Sequence, residues 1–176
     1  MQFKTLALAA ATAGAAAAAD AAPKYFGLVA IQSGSEVQNL SFQAAQESLF
    51  IGKKDQGATC DKDTNFATFY LDNGGLYLYR QSATPQQVYV DRGKGQGVVQ
   101  YTTGAQPTSK NGEKTGFSIA EGKLQFDGTG FQACKAGDDG YVLWLDIVHP
   151  APGYEDCTSI DAHVQETTEP ISCLYT

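Results

Sequence analysis

From Tyr25 onward, apolar and polar residues alternate in short runs instead of forming helical stripes. Leu76, Leu78, Val88 and Val90 interleave with Tyr77, Tyr79, Tyr89 and Asp91, which is the two-residue period of a half-buried hairpin. Asn73-Gly74-Gly75 supplies a turn just before it, and residues 81–86, with Pro85, supply the connecting loop. Residues 25–31 form a near-continuous apolar run, read as a strand covered on both faces. Residues 66–71 read as another. Further strands are predicted at 117–120, 123–126, 131–134, 141–148 and 160–165. Most are separated by turn pairs such as Glu121-Gly122 and Asp127-Gly128. Only residues 42–49 are compatible with a helical turn.

About ten to twelve short strands with Gly-rich turns predict a single all-β domain, an antiparallel β-sandwich. A β-trefoil is the alternative, because Gly74-x-Leu76-x-Leu78 is echoed by Gly122-x-Leu124-x-Phe126; no clear third copy is visible. No composition shift marks a domain boundary.

The amino terminus reads differently. Lys4 precedes an apolar, Ala-rich stretch over residues 6–19, which ends in small residues before Asp20. That is the layout of a secretory signal peptide, too short and too Ala-rich to span a bilayer. The expected organisation is a signal peptide at 1–19 and one domain at 20–176, with no membrane association after cleavage. The carboxyl end, residues 170–176, lacks the hydrophobic tail of a glycolipid-anchor signal.

Composition then narrows the function. The chain has 176 residues, 43% hydrophobic and 18% charged, with a formal net charge of −7. Twelve Lys and Arg without a long run cannot neutralise a phosphate backbone, so nucleic acid is excluded as a partner. Nine Tyr and nine Phe supply the burial that a disordered chain lacks.

Cys60, Cys134, Cys157 and Cys173 form an even set in an exported chain, which implies two disulfides. Their spacings are too wide for a metal knuckle. Four cysteines allow three pairings, and sequence alone does not choose among them. The expectation adopted is Cys157–Cys173 closing a short loop, with Cys60–Cys134 tying the two halves.

Other motifs weaken on inspection. Asp61, Asp63, Asn65 and Asp72 have calcium-loop spacing, but Phe66 stands where that loop needs Gly, so an acidic turn is expected. Gly93-Lys94-Gly95-Gln96-Gly97 resembles a phosphate cradle, yet strand-like residues follow it where a helix is required, so a flexible turn is expected. His149 and His163 are the only imidazoles, and no nucleophile elbow accompanies them. No catalytic residue, metal or cofactor is expected, and a two-carboxylate hydrolase is the weakest reading. Tyr77, Tyr79 and Tyr89 share the polar-facing side of the hairpin. They could stack on sugar rings, or be covered by a second layer. Trp144 reads as core. Asn39-Leu40-Ser41 is an N-glycosylation acceptor.

Longer stretches carry a resemblance. Residues 25–35 (YFGLVAIQSGS), 76–92 (LYLYRQSATPQQVYVDR), 101–117 (YTTGAQPTSKNGEKTGF), 131–134 (FQAC) and the closing SCLYT resemble the fungal cell-wall proteins of the phialide-development (PhiA) family, which includes an Aspergillus allergen. The resemblance covers nearly all of residues 20–176, including the four cysteines. It implies a secreted, non-enzymatic cell-wall protein involved in phialide and conidium formation. It implies no catalytic residues. A wall-glycan-binding module is the alternative function.

Overall fold

A computed structural model describes residues 24–81 and 84–176. The expected signal peptide at 1–19 lies outside the described residues. Fifteen strands follow one another. The first seven are β1 (Phe26–Ile31), β2 (Phe42–Ala45), β3 (Ser48–Ile51), β4 (Thr59–Cys60), β5 (Phe69–Asp72), β6 (Gly75–Leu78) and β7 (Gln86–Asp91). Next come β8 (Val98–Tyr101), β9 (Gly112–Glu113), β10 (Phe117–Ala120) and β11 (Lys123–Phe126). The last are β12 (Phe131–Lys135), β13 (Tyr141–Leu145), β14 (Cys157–Glu166) and β15 (Cys173–Leu174). Every pairing between them is antiparallel.

The two expected layers are present, but long strands pass from one to the other and close them into a barrel-like sheet. β7 pairs with β6 in one layer and with β8 and β9 in the other. β14 pairs with β12 through Cys157 to Ile160, then with β1 from Asp161 to Glu166. The ring runs β14, β1, β5, β6, β7, β8, β13, β12 and back to β14. Closure removes most free edges, which otherwise template aggregation.

Alternation fills the interior. Phe26, Leu28 and Ala30 of β1 are fully buried, while Gly27, Val29 and Ile31 on its other face are half-buried. The expectation of a strand covered equally on both faces is therefore corrected: a second layer covers only one side. Leu76, Leu78, Val88 and Val90 all point into the core, as their period predicts. With Leu49, Ile51, Phe69, Tyr101, Phe126 and Phe131 they form one continuous cluster. Trp144 belongs to a smaller cluster with Phe50, Cys134, Val142 and Ala151, and stacks edge-on against Tyr154 at 5.9 Å.

Residues 42–49 form no helical turn; they are the β2–β3 hairpin. Its turn residues, Gln46 and Glu47, both have left-handed backbone (φ 53° and 58°), a conformation that favours Gly, Asn or Asp. Tertiary bonds hold it there. The Glu47 amide donates to the Thr176 carbonyl at 3.0 Å, and the Glu47 carbonyl accepts from the Tyr101 amide at 3.0 Å. This hairpin is the missing third copy of the echo, with Leu49 and Ile51 in the places of Leu76 and Leu78. The three hairpins are not equivalent: β5 and β6 lie within the ring, whereas β2 and β10 each have a single strand partner. The trefoil alternative is not the arrangement found.

The disulfides join Cys60 to Cys173 and Cys134 to Cys157. This corrects the expected pairing. Sheet register decides it, because each cysteine lies directly opposite its partner on neighbouring strands, β4 with β15 and β12 with β14. Cys157 and Cys173, close in sequence, sit on different elements. The Cys60–Cys173 link closes a loop of 113 residues, a span whose restriction in the unfolded chain stabilises by about 4–5 kcal/mol on the loop-entropy account.

That link ends in a clasp. Gln86, fully buried, donates from Nε2 to the Tyr175 carbonyl at 2.9 Å and accepts the Tyr175 amide on Oε1 at 3.0 Å. The Tyr175 ring is also buried, and its hydroxyl accepts from the Thr68 amide at 3.3 Å. Burial pushes the Tyr175 phenol up to about 12, and burial together with a hydrogen bond to Glu36 does the same for Tyr141.

Two outcomes are expected. Gln86→Leu keeps the volume but orphans two buried backbone groups, at about 1–3 kcal/mol each. A urea titration should show a lower midpoint with an unchanged slope, and an unshifted midpoint would contradict the clasp. With folded phenols raised above their ordinary 10.0, the unfolded chain releases protons first. Stability should be complete below pH 10 and fall as pH rises through about 12. Stability that stays flat across that interval would show that these phenols are not shielded.

Candidate functional site

The hairpin β5–β6 turns on Asn73 and Gly74, with φ of 47° and 78°, the left-handed pair of a two-residue loop. That loop fixes the register, so Tyr70 lies directly opposite Tyr77. Their rings stack at 5.1 Å between centroids and 15° between planes. Tyr25, just before β1, adds to the same outer face, 6.2 Å from Tyr70 and 4.6 Å from Tyr79. All four rings are half-buried. They make a continuous row, Tyr77, Tyr70, Tyr25, Tyr79, across the outside of the sheet.

The row is amphipathic in a specific way. Burial, and then the neighbouring Tyr77, Asp72 and Tyr25, raise the Tyr70 phenol above its ordinary value, so it stays a neutral hydroxyl donor. The Tyr77 hydroxyl accepts from Gln87 Nε2 at 3.1 Å. The Lys24 ammonium lies 5.2 Å from the Tyr25 ring centre, a cation over an aromatic face. Half-buried rings that carry hydroxyls suit ligands having both C–H faces and hydroxyl groups.

Of the three tyrosines proposed from sequence, the structure brings Tyr77 and Tyr79 to this row and removes Tyr89 from it. Tyr89 does point outward, but it is 8% exposed. The backbone at Gly112 lies against the ring, so closely that a Cβ there would come within 2.9 Å of it. Its hydroxyl donates to Gln100 Oε1 at 3.0 Å. The sequence reasoning missed Tyr25 and Tyr70. A signal for Tyr70 existed, since a two-residue turn at Asn73-Gly74 pairs 70 with 77.

The remaining motifs serve the fold. The amides of the Gly93–Gly97 turn are taken up internally: Asp91 Oδ1 accepts from Gly93 at 2.9 Å and Gly95 at 3.2 Å, while Oδ2 accepts from Ser109 at 3.0 Å. A buried carboxylate occupies the place a phosphate would take. In the acidic turn, Asn65 binds the carbonyls of Lys53 and Lys54 and accepts from the Gln56 amide, pinning a loop. No group of three or more His, Cys, Asp and Glu converges as a metal site among the described residues. Ser159 donates to Asp146 Oδ2 at 2.6 Å, and His149 Nδ1 is 3.4 Å from Asp146 Oδ1. The carboxylate stands between hydroxyl and imidazole, so His149 has no contact through which to activate Ser159. His163 lies on β14 opposite Val29 and Lys123. Asn39 is exposed at a left-handed position between β1 and β2, its Oδ1 accepting from Gln38.

Comparison with known proteins places this architecture. Residues 26–176 match the family model described as PhiA-like secreted protein. The chain is 50% identical over 185 residues to cell wall protein phiA of Aspergillus fumigatus, with both chains covered completely. It is 50% identical over 182 residues to cell wall protein phiA of Aspergillus niger, covering 100% of this chain and 99% of that one. The Arthroderma benhamiae relative of the same name is 34% identical over 169 residues, 88% of each chain. No solved structure matches. The chain is thus a secreted fungal cell-wall protein and belongs to the PhiA-like secreted protein family.

Proposed function

We propose that the protein is a non-enzymatic wall component supporting phialide and conidium development, exported by a signal peptide at residues 1–19 and acting as one domain, 20–176. The observation that carries this reading is the closed, side-chain-filled sheet with a disulfide at each of two cross-strand positions. Such a body resists opening outside the cell, where unfolded chains are lost to proteolysis. Asn39, exposed beside the β1–β2 turn, is the proposed site of an N-linked glycan.

A second observation supports a mode of retention. The row Tyr77, Tyr70, Tyr25, Tyr79 offers half-exposed rings that carry hydroxyl groups, which suits non-covalent contact with wall polysaccharide. The lectin-like alternative and the structural reading thereby merge: the protein binds glycan in order to stay in place.

Protein extracted from walls should begin near Asp20, carry two disulfides and show a glycan mass on Asn39. Intact-mass analysis checks this, and a chain still starting at Met1 with free thiols would overturn export. Removing the protein from its fungus should reduce conidium formation, with normal conidiation as the contrary result. Tyr25→Ala and Tyr79→Ala should each weaken retention on insoluble wall glucan, chitin or mannan about fivefold, on the order of 1 kcal/mol per ring. Undiminished retention would remove the row from wall binding.

A further inference from the structure

The tyrosine row does not end at Tyr77. Beyond it lies a surface groove of about 350 Å³, lined by Tyr77, Pro85, Gln87, Thr102, Gln106 and Lys114 among others. Its volume falls at the small end of ligand sites, which run from about 300 to 1,000 Å³. We propose that this groove is a saccharide subsite, holding one or two rings of a neutral hexopyranose chain that continues along the tyrosine row. The proposal rests on the glycan-retention reading above and assigns it a specific pocket.

Among the described residues, the hydrogen-bonding groups of the groove are half spent and half free. Gln87 uses its Nε2 on the Tyr77 hydroxyl at 3.1 Å and the Lys114 carbonyl at 3.4 Å, which fixes the amide and leaves Oε1 as an acceptor. Gln106 uses its Oε1 to accept from Thr103 at 2.8 Å, leaving its NH₂ as a donor. Lys114 makes no ion pair among the described residues, so its ammonium is a second donor. Thr102 exchanges bonds with the Gln87 backbone, which stiffens the floor. Two donors and one acceptor thus belong to residues that line the groove together with one aromatic ring and one proline ring.

Those properties select among ligands. Sugar hydroxyls both donate and accept, so a saccharide can satisfy both Gln87 Oε1 and Gln106 Nε2, while a C–H face of its ring rests on Tyr77. An anionic ligand would meet one ammonium but also the free carbonyl oxygen of Gln87, on a chain of net charge −7. A purely apolar ligand would strip water from an amide and an ammonium without replacing their bonds. Gln87 is pre-organised, since its two orienting bonds exist within the protein itself. Ordering that side chain therefore adds little to the cost of binding.

The test uses the full secreted protein and soluble tetramers of β-linked glucose, β-linked N-acetylglucosamine, α-linked mannose and a uronic acid. Binding is followed by NMR. At least one neutral tetramer should bind saturably and shift resonances of Gln87, Thr102, Gln106 and Lys114. Gln106→Ala and Lys114→Met should each weaken that tetramer five- to tenfold, with melting temperature and fold unchanged. Tyr25→Ala should weaken retention on insoluble polymer while the tetramer still shifts the groove resonances. If no neutral tetramer binds, or the uronic acid tetramer binds best, the groove assignment is overturned. If polymer retention depends on Tyr25 and Tyr79 yet the tetramers never touch the groove, the groove falls and the row stands. If neither tetramers nor polymer bind, both fall.

Discussion

The structure depends on β14 being held from both sides. Along its first half β12 is its neighbour, and along its second half β1 and β11 flank it. The Val164 amide adds a bond to the Gly122 carbonyl at 2.8 Å. A strand of ten residues is long for a globular sheet, and its length lets one segment serve two layers. Without it the sheet would open along β1 and expose Phe26, Leu28, Ala30, Ile160 and Ala162, all buried now. The apolar interior, the outer tyrosine row and the clasp at the carboxyl end all presuppose that closure.

The outer surface follows from the same geometry. On a closed sheet every second residue faces outward, so a row of tyrosines on adjacent strands becomes a continuous stripe. The amino-terminal segment contributes Tyr25, the hairpin contributes Tyr70 and Tyr77, and the residue after β6 contributes Tyr79. None of these rings helps to fill the interior. The stabilising interior and the outer tyrosine stripe are therefore carried by different faces of the same strands.

Local chemistry was the legible part of the sequence. Asn73-Gly74 and Glu121-Gly122 announce hairpins, because glycine supplies the second left-handed position cheaply. The alternation of Leu76, Leu78, Val88 and Val90 announces which face is buried. What stayed hidden is what only tertiary contact decides. Gln46-Glu47 carries no turn signature; its backbone is held by bonds from Thr176 and Tyr101, more than fifty residues away in the chain. Cysteine pairing follows register between β4 and β15, both of two residues and invisible to periodicity. Tyr89 was assigned the correct side of its strand, but the covering segment at Gly112 comes from a region with no strand pattern. The candidate site was thus half readable: its parity was, its neighbours from other strands were not.

Native-state hydrogen exchange of the β14 amides tests this account most directly. Closure predicts that amides from Ile160 to Val164 exchange only through global unfolding, with free energies equal to that of the whole domain, while edge strand β10 exchanges by smaller openings. Exchange of β14 as fast as that of β10 would mean that the two layers part from one another and that the ring is not the unit of stability.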